Sequence, residues 1–137
     1  MNRMAILAIG ACGIAAALGA AGARQAPVLA QAKPGLWEIE GIPGTKAPRR
    51  ECVADLVVLL QFEHRGRTCT RTVLRETDSG TQIEYSCGGA GFGRTEVTVV
   101  TPRSLKIDTQ GISEGMPFGY VLQARRVADC GTATSGH

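Results

Sequence analysis

Aromatic side chains are scarce in this chain: one Trp, two Tyr and three Phe among 137 residues. A small domain with so few large rings can bury only a modest core. Histidine is scarcer, represented by His64 and His137 alone, and neither lies in a ligand cluster. No two cysteines have Cys-x-x-Cys spacing. Together these absences argue against a zinc site and against thioredoxin-type thiol chemistry. A dense basic tract is also missing. Arg49-Arg50, Arg65 with Arg67, and Arg125-Arg126 are short clusters set far apart. They read as solvated faces, and nothing resembles the footprint of a nucleic-acid binder. Ser79, Ser86, Ser104 and Ser113 stand in no nucleophile-elbow context. The glycine-rich run Gly88–Gly93 has no Lys-Ser/Thr after it and leads into a strand pattern. It reads as a hairpin loop, not a phosphate loop.

What is present begins at the N-terminus. Met1-Asn2-Arg3 is a basic head, followed by an uncharged run of 18 residues, Met4 to Ala21. Two small-residue cleavage patterns follow, Ala21-Gly22-Ala23 and Val28-Leu29-Ala30. This is the pattern of a secretory signal peptide, read here as residues 1–30. A membrane anchor is the rival reading, but the run is rich in Ala and Gly and close to the minimum spanning length. Lipidation at Cys12 is disfavoured, because only eight residues separate it from Arg3. Cleavage after Ala30 leaves 107 residues, with thirteen basic and twelve acidic side chains. The expected organisation is one domain over 31–130 and a flexible tail over 131–137.

Removal of the leader also removes Cys12 and leaves Cys52, Cys69, Cys87 and Cys130. An even number in an oxidising compartment reads as two structural disulfides. Three pairings are possible. The preferred one is Cys52–Cys69 with Cys87–Cys130, which would clip a helix and tie the last strand to the middle of a sheet.

Leu36–Glu40 has period two, with Trp37 and Ile39 on one face and Glu38 and Glu40 on the other. Gly41–Gly44 breaks this strand, and Arg49–Cys52 is a short second one. Val53, Leu56, Val57 and Leu60 fall at i, i+3, i+4 and i+7, so Val53–Phe62 is expected to be a helix. Asp55 suits its first turn. From Cys69 the pattern is β. Cys69–Glu76 and Thr81–Cys87 flank the turn Asp78-Ser79-Gly80. Arg94–Thr101 and Ser104–Asp108 follow, with Thr95, Val97, Val99, Leu105 and Ile107 inward. Gly111–Pro117 reads as a loop before a last strand, Phe118–Val127. The fold class is α+β: a mainly antiparallel sheet of six or seven strands, a twisted meander or half-barrel, with one short helix and two disulfides.

Lys33-Pro34-Gly35-Leu36-Trp37-Glu38 resembles the opening motif of the domain-of-unknown-function 3617 family, small exported proteins of Gram-negative bacteria. Cys52 before a helix, Cys69 after it, Cys87-Gly88-Gly89, and Arg125-Arg126 ahead of Asp129-Cys130 extend the resemblance over Lys33 to Cys130. Ala128 stands where that pattern has Gly. The resemblance implies a periplasmic location and supplies no catalytic residue, metal or cofactor.

Three functional readings follow. The first is a non-enzymatic exported binding or accessory module with no cofactor. The second is a carrier of a lipid or other apolar small molecule. Its concave sheet face would be lined by Trp37, Tyr85, Phe118 and Tyr120, side chains that otherwise serve as core. The third, a distant one, is a hydrolase using His64 with Glu63, although His64 reads first as a surface residue. Glu38 and Glu40 read as a solvated strand face in preference to a carboxylate pair.

Overall fold

The computed structural model describes residues 27–131. The basic head, most of the apolar leader with Cys12, and the tail 132–137 lie outside the described residues.

Seven strands form one antiparallel sheet: β1 (Gly35–Glu40), β2 (Arg49–Val53), β3 (Thr70–Glu76), β4 (Gly80–Ser86), β5 (Gly91–Thr101), β6 (Ser104–Ser113) and β7 (Met116–Ala128). Their order is β2-β1-β7-β6-β5-β4-β3. From β3 to β7 this is a plain meander. The β1–β2 hairpin does not continue it at β3. It docks on β7, through pairs such as Trp37 with Arg126 and Ile39 with Ala124. The two edges of the sheet are therefore β2 and β3, which are consecutive in the chain.

That order forces the segment between β2 and β3 to travel from one edge to the other. It does so across the inner face as a crossover, Leu56–His64, of 3-10 type with a break at Gln61. The helix expected over Val53–Phe62 is thus corrected in both type and position. Val53 completes β2, and Asp55 is the N-cap, its carboxylate accepting the Val57 amide at 3.0 Å. A 3-10 path rises about 2.0 Å per residue against about 1.5 Å in an α-helix. The stretched form suits a segment that must span a wide sheet.

Period-two patterning decides which side chains meet the crossover. Paired inward rows run across the strands: Thr81–Val97–Ile107–Leu122, and Val99–Leu105–Ala124–Ile39. Leu56, Leu59, Leu60 and Phe62 close over them, and Trp37 is completely buried. Val28 and Leu29 also belong to this core, carried by a short N-terminal turn, Pro27–Gln31. The ordered domain therefore begins before residue 31. The loop expected over Gly111–Pro117 is instead strand on both sides of a tight turn at Glu114-Gly115. Gly115 there has φ +81°, which glycine adopts without strain.

The disulfides are Cys52–Cys130 and Cys69–Cys87, which corrects the preferred pairing. Sheet order supplies the reason. Cys69 and Cys87 flank the paired residues Thr70 and Ser86, so they face each other at the base of the β3–β4 hairpin. Cys52 is paired with Leu36, which is paired in turn with Ala128, two residues before Cys130. That bridge passes over the start of β1 and ties the β2 edge to the end of β7. Each edge of the sheet is therefore closed by one bridge.

The Cys52–Cys130 bridge closes 78 residues and the Cys69–Cys87 bridge closes 18. Loop-closure entropy gives roughly 4.5 and 3 kcal/mol respectively. We predict that Cys52→Ala with Cys130→Ala lowers stability by about 1 kcal/mol more than Cys69→Ala with Cys87→Ala, read from urea melts. A greater loss from the second pair would contradict the loop-length reasoning.

Candidate functional site

The polar side chains most able to carry chemistry gather where the crossover ends. His64 is buried, not on the surface as its sequence context suggested. Its Nε2 lies 3.0 Å from the Ala90 carbonyl and its Nδ1 lies 3.1 Å from the Tyr85 hydroxyl. A carbonyl only accepts, so in the neutral ring Nε2–H donates to it and the Tyr85 hydroxyl donates to Nδ1. Both nitrogens are therefore hydrogen-bonded within the fold. Glu63 points elsewhere, accepting the Tyr120 hydroxyl at 2.9 Å. Phe118 packs edge-on against the His64 ring and lies beside Tyr120.

Glycine makes this cluster possible. On the inner face the row Tyr85–Gly93–Gly111–Phe118 crosses four strands. A Cβ on Gly93 would come within 2.5 Å of the Tyr85 hydroxyl. One on Gly91 would press on the Ile112 carbonyl and approach His64 Nε2 to 2.8 Å. The glycine-rich run is therefore not a free hairpin loop. Gly88–Ala90 makes one 3-10 turn and Gly91 already opens β5. The run marks the place where His64 and Tyr85 press against the backbone, and those close contacts are the signal that sequence reading missed.

The four candidate aromatics separate into two groups. Trp37 is 0% and Tyr85 1% exposed, so both are core side chains. Phe118 and Tyr120 are half-buried at the end of the inner face. The crossover side chains Leu59, Leu60 and Phe62 pack in the same core as Trp37 and Tyr85. Glu38 is not one of a carboxylate pair. It lies between Arg50 and Arg125, at 2.9 and 2.8 Å, and these guanidiniums, Arg50 foremost, hold its carboxyl below the usual range. Arg65 binds Glu51 and stacks on the Phe62 ring at 3.9 Å, joining the β2 edge to the crossover. Among the described residues no group of three or more His, Cys, Asp or Glu side chains is placed to hold a metal ion.

The opposite, outward face carries an accessible feature. Strand alternation that sends Thr95 and Thr109 inward sends Phe92, Arg94, Gln110 and Ile112 outward. With Glu84, the backbone of Gly93 and Gly111, and the Phe118 ring of β7, these residues line a hollow of about 420 Å³. Phe92, 54% exposed, pairs across the strands with Ile112 and makes an apolar rim. Arg94 forms an ion pair with Glu84 at 3.2 Å. A second hollow, of about 280 Å³, lies between the N-terminal turn and the start of the crossover, against Leu29, Ala32, Leu56 and Val57.

No family model, curated protein or solved structure matches the chain.

The tyrosines offer a direct check on the cluster. Burial pushes the Tyr85 phenol up to about 12, against an opposing pull from the Thr109 hydroxyl. Burial raises Tyr120 further, reinforced by the Glu63 carboxylate that its hydroxyl must keep as partner. Below about pH 10 both phenols are neutral in folded and unfolded chains, and their contribution to stability is complete. Above that pH the unfolded chain ionises first, so this stability is lost as pH rises toward 12. We predict no tyrosinate absorbance near pH 10, then joint ionisation of both rings with loss of the far-ultraviolet circular dichroism. A ring that ionises near pH 10 in the folded protein would contradict the burial of the cluster.

Proposed function

We propose that the chain is an exported module of the periplasm that binds a partner on the outward face of its sheet and performs no catalysis. The compartment is supported by the two disulfides, by the basic head and apolar leader, and by the resemblance to the domain-of-unknown-function 3617 family. Among the described residues no helix is long and apolar enough to cross a membrane.

The observation that carries the binding reading is the hollow around Phe92. A large exposed ring is held on a rigid central strand, beside Ile112 and within reach of Arg94 and Gln110. Such a grouping favours an apolar group that ends in an acidic or hydrogen-bonding function. The concave-face carrier is the less favoured reading, since Leu59, Leu60 and Phe62 occupy the space a ligand would need. A hydrolase is less favoured for the same kind of reason, since both His64 nitrogens serve the fold.

Anilinonaphthalene sulfonate is a suitable probe, with its aromatic body and anionic end. We predict saturable binding that weakens about tenfold, or about 1.4 kcal/mol, in Phe92→Ser, and by a similar amount in Arg94→Ser. Both positions are exposed, so urea midpoints should stay within error of the parent. Unchanged affinity in both variants would reject the outward face as the binding surface.

A further inference from the structure

We infer that the leader is removed after Ala23 and not after Ala30, so that the mature chain starts at Arg24. The inference rests on the exported reading above, because it concerns the cut that export entails. In that step a signal peptidase hydrolyses the Ala23–Arg24 amide. Water supplies the hydroxyl of the new Ala23 carboxyl group and the proton of the new Arg24 amine.

Two small-residue patterns compete for this cut, Ala21-Gly22-Ala23 and Val28-Leu29-Ala30. The fold separates them. Val28 and Leu29 are only 3% and 5% exposed and belong to the same core as Trp37 and Leu59. The Val28 amide donates to Glu76 Oε1 at 3.0 Å, and Gln31 Nε2 donates to the Asp78 carbonyl at 2.7 Å. Glu76 and Asp78 lie at the tip of the β3–β4 hairpin, the end away from the Cys69–Cys87 bridge. The hairpin is thus fastened at its base by a disulfide and at its tip by the N-terminal turn.

A cut after Ala30 would discard both aliphatic side chains and the Val28 bond. It would also open the space between the turn and the crossover that Leu29 now lines. β3 is an exposed edge strand, held by its ladder to β4 and by Arg71 on Gln61, and the N-terminal turn is an added fastening at its outer end. A cut after Ala23 keeps every one of these contacts. The Val28-Leu29-Ala30 pattern is apolar because it is core, and its likeness to a cleavage pattern is incidental.

The test is the intact mass of the full chain expressed in a Gram-negative host and recovered from the periplasm. A mature start at Arg24 is expected. A start at Gln31, or at any other residue, would overturn the inference while leaving export standing. Uncut chain confined to the cytoplasm would overturn export as well. Two variants of the full chain sharpen the result. Ala23→Asp should leave most of the chain uncut, whereas Ala30→Asp, at an exposed position, should be processed like the parent. The reverse pattern would place the cut after Ala30.

Discussion

Sixteen residues separate Cys52 from Cys69, and they have to carry the chain between opposite edges of a seven-stranded sheet. Most other features of the molecule follow from that passage. It lies across the inner face, so inward rows of Val, Ile and Leu have something to pack against, and a single open sheet acquires a closed core. It is stretched, so the chain takes a 3-10 path. Both of its ends carry covalent anchors. Cys52 and Cys69 supply them, through Cys130 at one edge and Cys87 at the other. A core with one Trp and few other rings gains from this arrangement, since the disulfides restrict the unfolded chain and ask for no extra apolar volume.

The passage also explains the polar cluster at its end. Leaving the inner face, the chain must bury Gln61 and His64 before it reaches β3. Buried polar groups cost free energy unless they are bonded. Tyr85 and the Ala90 carbonyl satisfy the His64 ring, and Thr95 meets Thr109 at 2.8 Å beneath. Glycines at 91 and 93 admit His64 and Tyr85, because a side chain at either would strike them, and Gly111 lets its strand approach the Phe92 carbonyl and the Phe118 ring. Among the described residues, the His64 cluster packs at the end of the sheet's inner face. The outward hollow around Phe92 lies on the other side of the same glycines.

Much of the fold was legible in the residues. Period-two alternation placed Trp37, Ile39, Thr95, Val97, Val99, Leu105 and Ile107 inward, and each of them is buried. Turn residues placed the β3–β4 hairpin within a residue or two. The sheet order was not legible, because short connections favour neighbours and β2 and β3 are not neighbours in space. The disulfide pairing failed for that reason: Cys52 and Cys69 are close in sequence but serve opposite edges. His64 misled because its charged neighbours, Glu63 and Arg65, suggest a surface position. A broken 3-10 path turns consecutive residues to different sides, so it can bury His64 and leave Glu63 exposed. The Phe92 hollow is written in alternation alone. It could have been suspected from a Phe out of phase with the inward residues of its strand.

The crossover is the inner layer of the fold and not a covering loop. Leu59, fully buried at its middle, tests this most directly. Leu59→Ala is expected to cost about 3 kcal/mol. Trp37 fluorescence and far-ultraviolet circular dichroism should then report a single shared urea transition at a lower midpoint. A cost below about 1 kcal/mol, with the sheet unfolding as in the parent, would contradict it.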